Sequence, residues 1–490
     1  MFGKWLEKIL AKNWLIYSLA GVALFVSLLS ATIDVDLGWR LRYGEYFGLT
    51  GQFIKTDSFS WTLPGYQWFD ISWLFDLFMY YLFTSFGFFS LSLVAGMILL
   101  LCYYLSVKQF NLKLPGLFVA LLLFILYLGP IVNPGLRPQL VALLGISSLT
   151  YLIYQIEKGD FKIALFFPIV IFLWTNLHGT FLLGLGMTLA YTGIKILELL
   201  LTKSVKGGKI SKINLRYLFI AFITSIFVIF LQPEGINLLR QINQYFPTNR
   251  VRGVQEWEPL PWASPEWLLL FFWSIVMMIL ALKKRRTVFG LYQAFVTLLF
   301  AYFAFNSRRM TGPYFLATLP FFLTWWKNSS VDLASKTANI FFFFVLIAFL
   351  INGLLVRLPQ VKFTNISWQD YCNLAPKCSW QAVQYLADNP LPEKSFTYYN
   401  FGGLTIWNNR QSKVFVDGRM DQWQKNGYSP FLDHQKILYE GDLELFEKYN
   451  FDGVYIPSNI RLFFYLKRQE AQGKWQTVFE DEKAAIFVKK

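Results

Sequence analysis

At 490 residues, 55% hydrophobic, 19% aromatic and only 15% charged, the chain is too apolar for a soluble globule, whose charged share is nearer a quarter. Its net charge of +15 does not call for nucleic acid, because the excess lies in short loops between apolar runs, where positive charge selects the cytoplasmic side of a membrane. A polytopic α-helical membrane protein is expected, with the lipid bilayer as its first partner and no nucleic acid.

Apolar runs long enough to be read as spans lie near residues 13–31, 86–106, 117–133, 138–156, 162–176, 180–201, 217–232, 265–282, 287–305, 311–326 and 338–355, about 11 transmembrane helices. The first lacks a small-residue cleavage site and runs into an acidic loop, so it is expected to stay as an anchor. Lys4, Lys8 and Lys12 set a cytoplasmic N-terminus. Alternation then places eighteen basic residues in short inside loops against nine outside, the bias expected of a correctly oriented chain. An odd number of spans leaves the last 130 or so residues extracytoplasmic. Residues 68–84 carry Asp70 and Asp76 and are read as an amphipathic interfacial helix in the first outer loop, 32–85; residues 236–246 look like a second. Two domains follow: 1–355 in the membrane, and 356–490 as a soluble extracytoplasmic α/β domain.

From about residue 356 polar and apolar residues mix, with alternating runs at Val414-Phe415-Val416 and Ala485-Ile486-Phe487-Val488 and helical patches at 380–388 and 433–449. Cys372 and Cys378 form a plausible disulfide in an oxidising compartment, whereas Cys102 lies inside a span.

With two histidines, no HExxH, no CxxC pair, no GxSxG and no phosphate-cradling Gly-rich loop, the usable chemistry is carboxylate and arginine. Asp34 and Asp36 follow the first span, where ionisable groups are costly unless paired or used. They share a face if the segment is extended, or Asp36 caps the following helix. At least one is expected to be a catalytic base. Arg40 and Arg42 either bind a phosphate or pair with Asp36 and Glu45. Asn176 and His178 sit at an outer break between spans, where they either satisfy backbone or line a polar cavity. Arg308 and Arg309 enter a span from outside as forked donors suited to phosphate, or snorkel to the interface; Arg137 is a weaker candidate of that kind. Tyr399-Asn400-Phe401-Gly402-Gly403 and Val414-Phe415-Val416-Asp417-Gly418-Arg419 are expected as strand-then-turn segments presenting Asn400, Asp417 and Arg419. No residue pattern calls for a metal; a divalent cation is compatible with the acidic loop but unsupported, so the cofactor is unknown.

Taken in order, Asp36-Leu-Gly-Trp39-Arg40-Leu-Arg-Tyr-Gly44, Thr56-Asp57-Ser-Phe59-Ser60-Trp-Thr62, Trp68 to Trp73-Leu74, Asn176-Leu-His178-Gly179, Arg309 to Pro320, Asn400 to Gly403 and Asp417-Gly418-Arg419 resemble an uncharacterised bacterial branch of the C-type glycosyltransferase superfamily. The resemblance implies a multi-span transferase of the cell envelope, in the bacterial inner or plasma membrane, using a polyprenyl-phosphate-linked sugar and a glycan, lipid or protein acceptor. It implies Asp36 as catalytic base with Asp34 as rival. Its matched positions include Asp57, Asp70, Trp73, Asn176, His178, Asn400, Asp417 and Arg419, expected as substrate-cavity residues, and Arg309; on residue chemistry Arg40, Arg42, Arg137 and Arg308 join Arg309 as expected donor-phosphate ligands. Two departures stand out: Arg40 replaces the pattern's His, and Ile71-Ser72 replace its His-Glu. They keep open a second expectation, a non-catalytic protein that binds or hands on lipid-linked glycans for a partner enzyme.

Overall fold

The computed structural model describes all residues except 1–12, 30, 33, 133–134, 202–211, 239–253, 255, 285–286, 329–335, 361–366 and 375–377. The expected interfacial helix at 236–246 therefore falls outside the described residues from 239 onward. The chain divides into two compact units: residues 1–30, 92–238 and 255–361 form one, and residues 31–91, 239–254 and 362–490 the other.

The first unit is helical because its sequence offers little but long apolar runs, and a helix satisfies its own backbone without water. Its elements are α1 (Asn13–Leu28), the C-terminal part of α3 (Trp73–Val107), α4 (Leu114–Val132), α5 (Gln139–Glu157), α6 (Phe167–Leu177), α7 (Phe181–Leu201), α8 (Lys212–Ile229), α9 (Pro265–Lys284), α10 (Val288–Asn306), α11 (Thr311–Asn328) and α12 (Lys336–Asn352). Each expected run holds a helix. Among the described residues, five stretches are long and apolar enough to cross a membrane: 73–110, 139–157, 181–198, 265–283 and 289–306. The protein is thus a mostly helical, multi-pass membrane protein with a small C-terminal sheet.

At about 1.5 Å per residue, α3 is far longer than a bilayer's apolar core. It is interrupted at Gly87 (φ 69°, ψ −168°), a conformation that L side chains rarely adopt. Ser90 Oγ repairs the break, donating to the carbonyls of Gly87 at 2.7 Å and Leu82 at 3.1 Å. The stretch expected as an interfacial helix, 68–84, is thereby set off from the apolar run that follows, and its helix starts at Trp73.

The second unit joins α2 (Leu37–Thr50) and the N-terminal part of α3 to the C-terminal residues. Those form α13 (Trp368–Leu374), α14 (Trp380–Asp388), β1 (Ser395–Thr397), α15 (Tyr399–Asn408), α16 (Pro430–Gln435), α17 (Leu443–Tyr449), β2 (Gly453–Pro457), α18 (Arg461–Ala471), β3 (Trp475–Glu480) and β4 (Ala484–Lys489). The sheet order is β1-β2-β4-β3, with β1 parallel to β2 and the remaining pairs antiparallel. Its core runs without interruption from Trp39, Tyr43, Ile54 and Trp68 into Phe396, Phe415, Val454 and Phe487. The Cys372–Cys378 disulfide is formed.

Two local expectations are overturned. Tyr399–Asn408 is a helix, not a strand and turn, despite two adjacent glycines that each cost about 1 kcal/mol inside a helix. The reason is close packing on α2: a Cβ at Gly403 would lie 2.4 Å from the Val35 carbonyl, and one at Gly38 would lie 2.0 Å from the Gly403 carbonyl. Only glycine lets these backbones meet. Val414–Val416 does not join the sheet; it is fully buried and makes one isolated bridge, to Ser60.

Candidate active site

In the second unit, the Arg40 guanidinium is paired with one carboxylate and lies in the field of three more. Arg40 on α2 donates through Nη1 to Asp76 Oδ1 at 2.9 Å; the Asp76 side chain is fully buried and that of Arg40 is 13% exposed. The Trp39 ring lies 4.2 Å from the same guanidinium. Burial opposes the charge on Arg40, but Asp76, then Asp70, Asp36 and Asp34, outweigh it and hold the group charged above its ordinary range. Burial, and then the negative charge of Asp70, push the Asp76 carboxyl well above the ordinary carboxylate range. Asp70 accepts from Ser72 N–H at 2.9 Å and so starts α3, whose first residue, Trp73, packs edge-on against Phe47 and Phe53.

The two leading acids are handled differently. Asp34 is 3% exposed, accepts from the Asp36 N–H at 3.3 Å, and its carbonyl receives the Leu37 N–H and the Tyr371 hydroxyl, so its groups shape the turn ahead of α2. Asp36 occupies the N-cap position of α2, yet its side chain makes no capping hydrogen bond. Its Oδ1 is pressed onto the backbone of Gly418: a Cβ there would sit 1.6 Å from that oxygen. Simple helix capping therefore does not account for Asp36.

Nearby ion pairs occupy other expected residues. Arg42 pairs with Glu45, which also accepts from Arg410 Nη2 at 2.8 Å, the paired alternative the sequence left open. Asp57, Asp417 and Arg419 come together, but as a sealed knot. Arg419 donates to Asp57 at 2.8 Å and to both oxygens of Asp417, all three side chains have no exposed surface, and Phe59, Trp68 and Trp423 lie within 4.9–5.1 Å of the guanidinium. This knot fastens the 56–62 segment to the 414–423 segment; none of its charged ends faces solvent. Asn400 is half-buried at the start of α15.

In the first unit, His178 ends α6, its Nδ1 2.7 Å from Thr180 Oγ1, while Asn176 Nδ2 donates to the Phe172 carbonyl at 2.8 Å. Asn176 thus satisfies a carbonyl of its own helix, and His178 is tied to the Thr180 side chain. Arg137 and Arg309 each stand two residues before a helix N-terminus, those of α5 and α11, which pack together. Both reach Glu256: Arg137 Nη1 at 2.9 Å from Oε1, and Arg309 Nε at 3.9 Å from Oε2. Arg309 also stacks on Trp257 at 4.8 Å, and Arg308 N–H donates to the Glu258 carbonyl.

Sequence reasoning missed Asp76 as the partner of Arg40, Gly418 as the seat of Asp36, and Glu256. Among the described residues no group of three or more His, Cys, Asp or Glu is placed to hold a metal ion.

No family model matches the chain, and no curated protein matches it in sequence. Solved structures do match. The oligosaccharyltransferase of Archaeoglobus fulgidus in its apo form aligns with TM-score 0.51 and 12% identity, over 91% of this chain and 70% of that one. The same organism's oligosaccharyltransferase AglB, in complex with an inhibitory peptide and a dolichol-phosphate, gives 0.52 and 12% over the same shares. ArnT from Cupriavidus metallidurans, bound to undecaprenyl phosphate, gives 0.51 and 13% over 96% of this chain and 97% of that one. At such identity the likeness is one of fold: this chain shares the architecture of these oligosaccharyltransferase and ArnT structures.

Proposed function

We propose that the protein is a membrane glycosyltransferase that moves a sugar from a polyprenyl-phosphate-linked donor to an acceptor on the extracytoplasmic side. The observation that carries this reading is the set of Asp34, Asp36, Asp70 and Asp76 whose charges bear on Arg40, with Asp36 at the head of α2 against Gly418. An aspartate carboxylate is the kind of group that can take a proton from an acceptor hydroxyl. In the proposed inverting step, Asp36 accepts the acceptor's proton as its oxygen attacks the anomeric carbon. The bond to the lipid phosphate breaks, and the electron pair leaves with that phosphate. Asp34 sets the turn that aims Asp36, and Arg40 offsets part of the cluster's negative charge. Arg137, Arg308 and Arg309 serve the donor phosphate, as forked guanidinium donors suit it. The neighbours whose structures hold dolichol-phosphate and undecaprenyl phosphate support this donor class.

Eleven spans, an N-terminus in the cytoplasm and an extracytoplasmic domain from residue 356 belong to the same proposal. The Cys372–Cys378 bond supports an oxidising compartment for that domain. A second reading, a silent carrier of lipid-linked glycans, draws on Arg40 at the pattern's His position, where its charge is already committed to Asp76. The two separate on turnover: the purified full chain, given polyprenyl-phosphate sugars, releases polyprenyl phosphate if it is a transferase. Binding without release would favour the carrier.

A further inference from the structure

Glu256 lies where an anion would. Its two oxygens face two guanidinium groups that arrive from separate helices, Arg137 ahead of α5 and Arg309 ahead of α11. Two cations on one carboxylate leave the trio with a net positive charge, and two guanidinium groups drawn to one anion, one hydrogen-bonded at 2.9 Å and one in ionic contact at 3.9 Å, are also what a phosphate needs. The stretch carrying Glu256 is anchored by its backbone. The Glu256 carbonyl accepts from Arg309 N–H at 3.0 Å and Ser307 Oγ at 3.1 Å, the Glu258 carbonyl accepts from Arg308 N–H at 2.9 Å, and Trp257 covers Arg309. The carboxylate can therefore swing away while its loop stays in place. It is also reachable: side-chain exposure is 37% for Glu256, 16% for Arg137 and 23% for Arg309.

We propose that Glu256 is an internal stand-in for the donor's phosphate, holding Arg137 and Arg309 converged until a phosphate-bearing lipid displaces it. This rests on the phosphate-binding role given above to those arginines. The carboxylate then competes with the headgroup, and it sets donor affinity low enough for the lipid phosphate product to leave.

The test uses the full chain in detergent with undecaprenyl phosphate as the probe, comparing wild type with Glu256→Gln, Glu256→Ala, Arg137→Gln and Arg309→Gln. Both Glu256 variants should bind the probe about threefold to fivefold tighter, the scale of a partly exposed ion pair, and both arginine variants should bind it more weakly. If the arginine variants weaken binding but neither Glu256 variant strengthens it, the stand-in is overturned and the phosphate site survives. If the arginine variants bind as wild type does, the phosphate reading itself falls. A gain at Glu256→Gln for inorganic phosphate but not for the lipid would overturn the assignment to a lipid.

Discussion

Gly418→Ala is the sharpest probe of where Asp36 must be. Gly418 is not among the residues with positive φ, so alanine is conformationally acceptable there and the substitution acts through space alone. Its Cβ would stand 1.6 Å from Asp36 Oδ1 and 2.6 Å from Cγ. Relief requires the carboxylate to retreat by about 2 Å, since ordinary contacts begin near 3.4 Å. Asp36 ends a short, rotatable side chain, so turning it off its rotamer costs about 1 kcal/mol. Transfer should suffer far more, because a 1 Å misplacement of a reacting group is worth roughly 100-fold in rate. Gly38→Ala is the contrast: its Cβ meets the Gly403 carbonyl at 2.0 Å, and two packed helices must separate, costing about 1–3 kcal/mol or more. Measured by polyprenyl-phosphate release and by thermal unfolding of the same preparations, Gly418→Ala should lose about 100-fold in rate with little change in melting temperature, and Gly38→Ala should lose stability. Full activity in Gly418→Ala would refute the role assigned to Asp36. Equal destabilisation by both would show that Gly418 serves packing rather than the site.

Arg419→Met should cost about 3–5 kcal/mol, because it leaves Asp57 and Asp417 charged and buried together. Native-state proteolysis of the full chain would register this, and a change under 1 kcal/mol would contradict it. His434 packs against Phe396 and Phe415, its Nε2 accepts from the Tyr399 N–H at 3.0 Å, and burial pushes its pKa from 6.5 down to about 3. The unfolded chain therefore takes up the proton first as pH falls. Stability is complete near pH 7 and declines below 6.5, by about 2 kcal/mol at pH 5. His434→Gln should flatten that slope in the same proteolysis assay; a pH-independent wild type would sink the assignment. Replacing Cys372 and Cys378 together by serine should cost no more than about 2 kcal/mol, the bridge spanning only six positions. Loss of folding would show that it does more than staple α13 to α14.

The helices were legible because the sequence is apolar at membrane length and punctuated by basic loops, and the structure puts a helix at every such run. The Gly87 break was legible in outline, since Asp70 and Asp76 already set 68–84 apart from the apolar stretch beyond it. The acidic loop could be singled out too, but the division of labour between its acids could not. Alternation put Asp34 and Asp36 on one face, whereas the chain folds so that Asp34 accepts from the Asp36 N–H. Asp76 stands 36 positions from Arg40, and no local pattern links them. Gly402-Gly403 suggested a turn because glycine's backbone freedom is its commoner use; here the missing side chains matter, letting α15 touch α2. Asp417 and Arg419 looked like presented groups because they follow a buried apolar run. The rings of Phe59 and Trp68, distant in sequence, close over the arginine together with neighbouring Trp423. Glu256 is one acid among several in its loop, without periodicity to mark it.

The most direct measurement compares Asp36→Asn with Asp34→Asn in release of polyprenyl phosphate from a polyprenyl-phosphate sugar, alongside binding of undecaprenyl phosphate. Asp36→Asn should abolish release while still binding the lipid, and Asp34→Asn should be slowed by a smaller factor. An Asp36→Asn protein that turns over as fast as wild type would contradict the account.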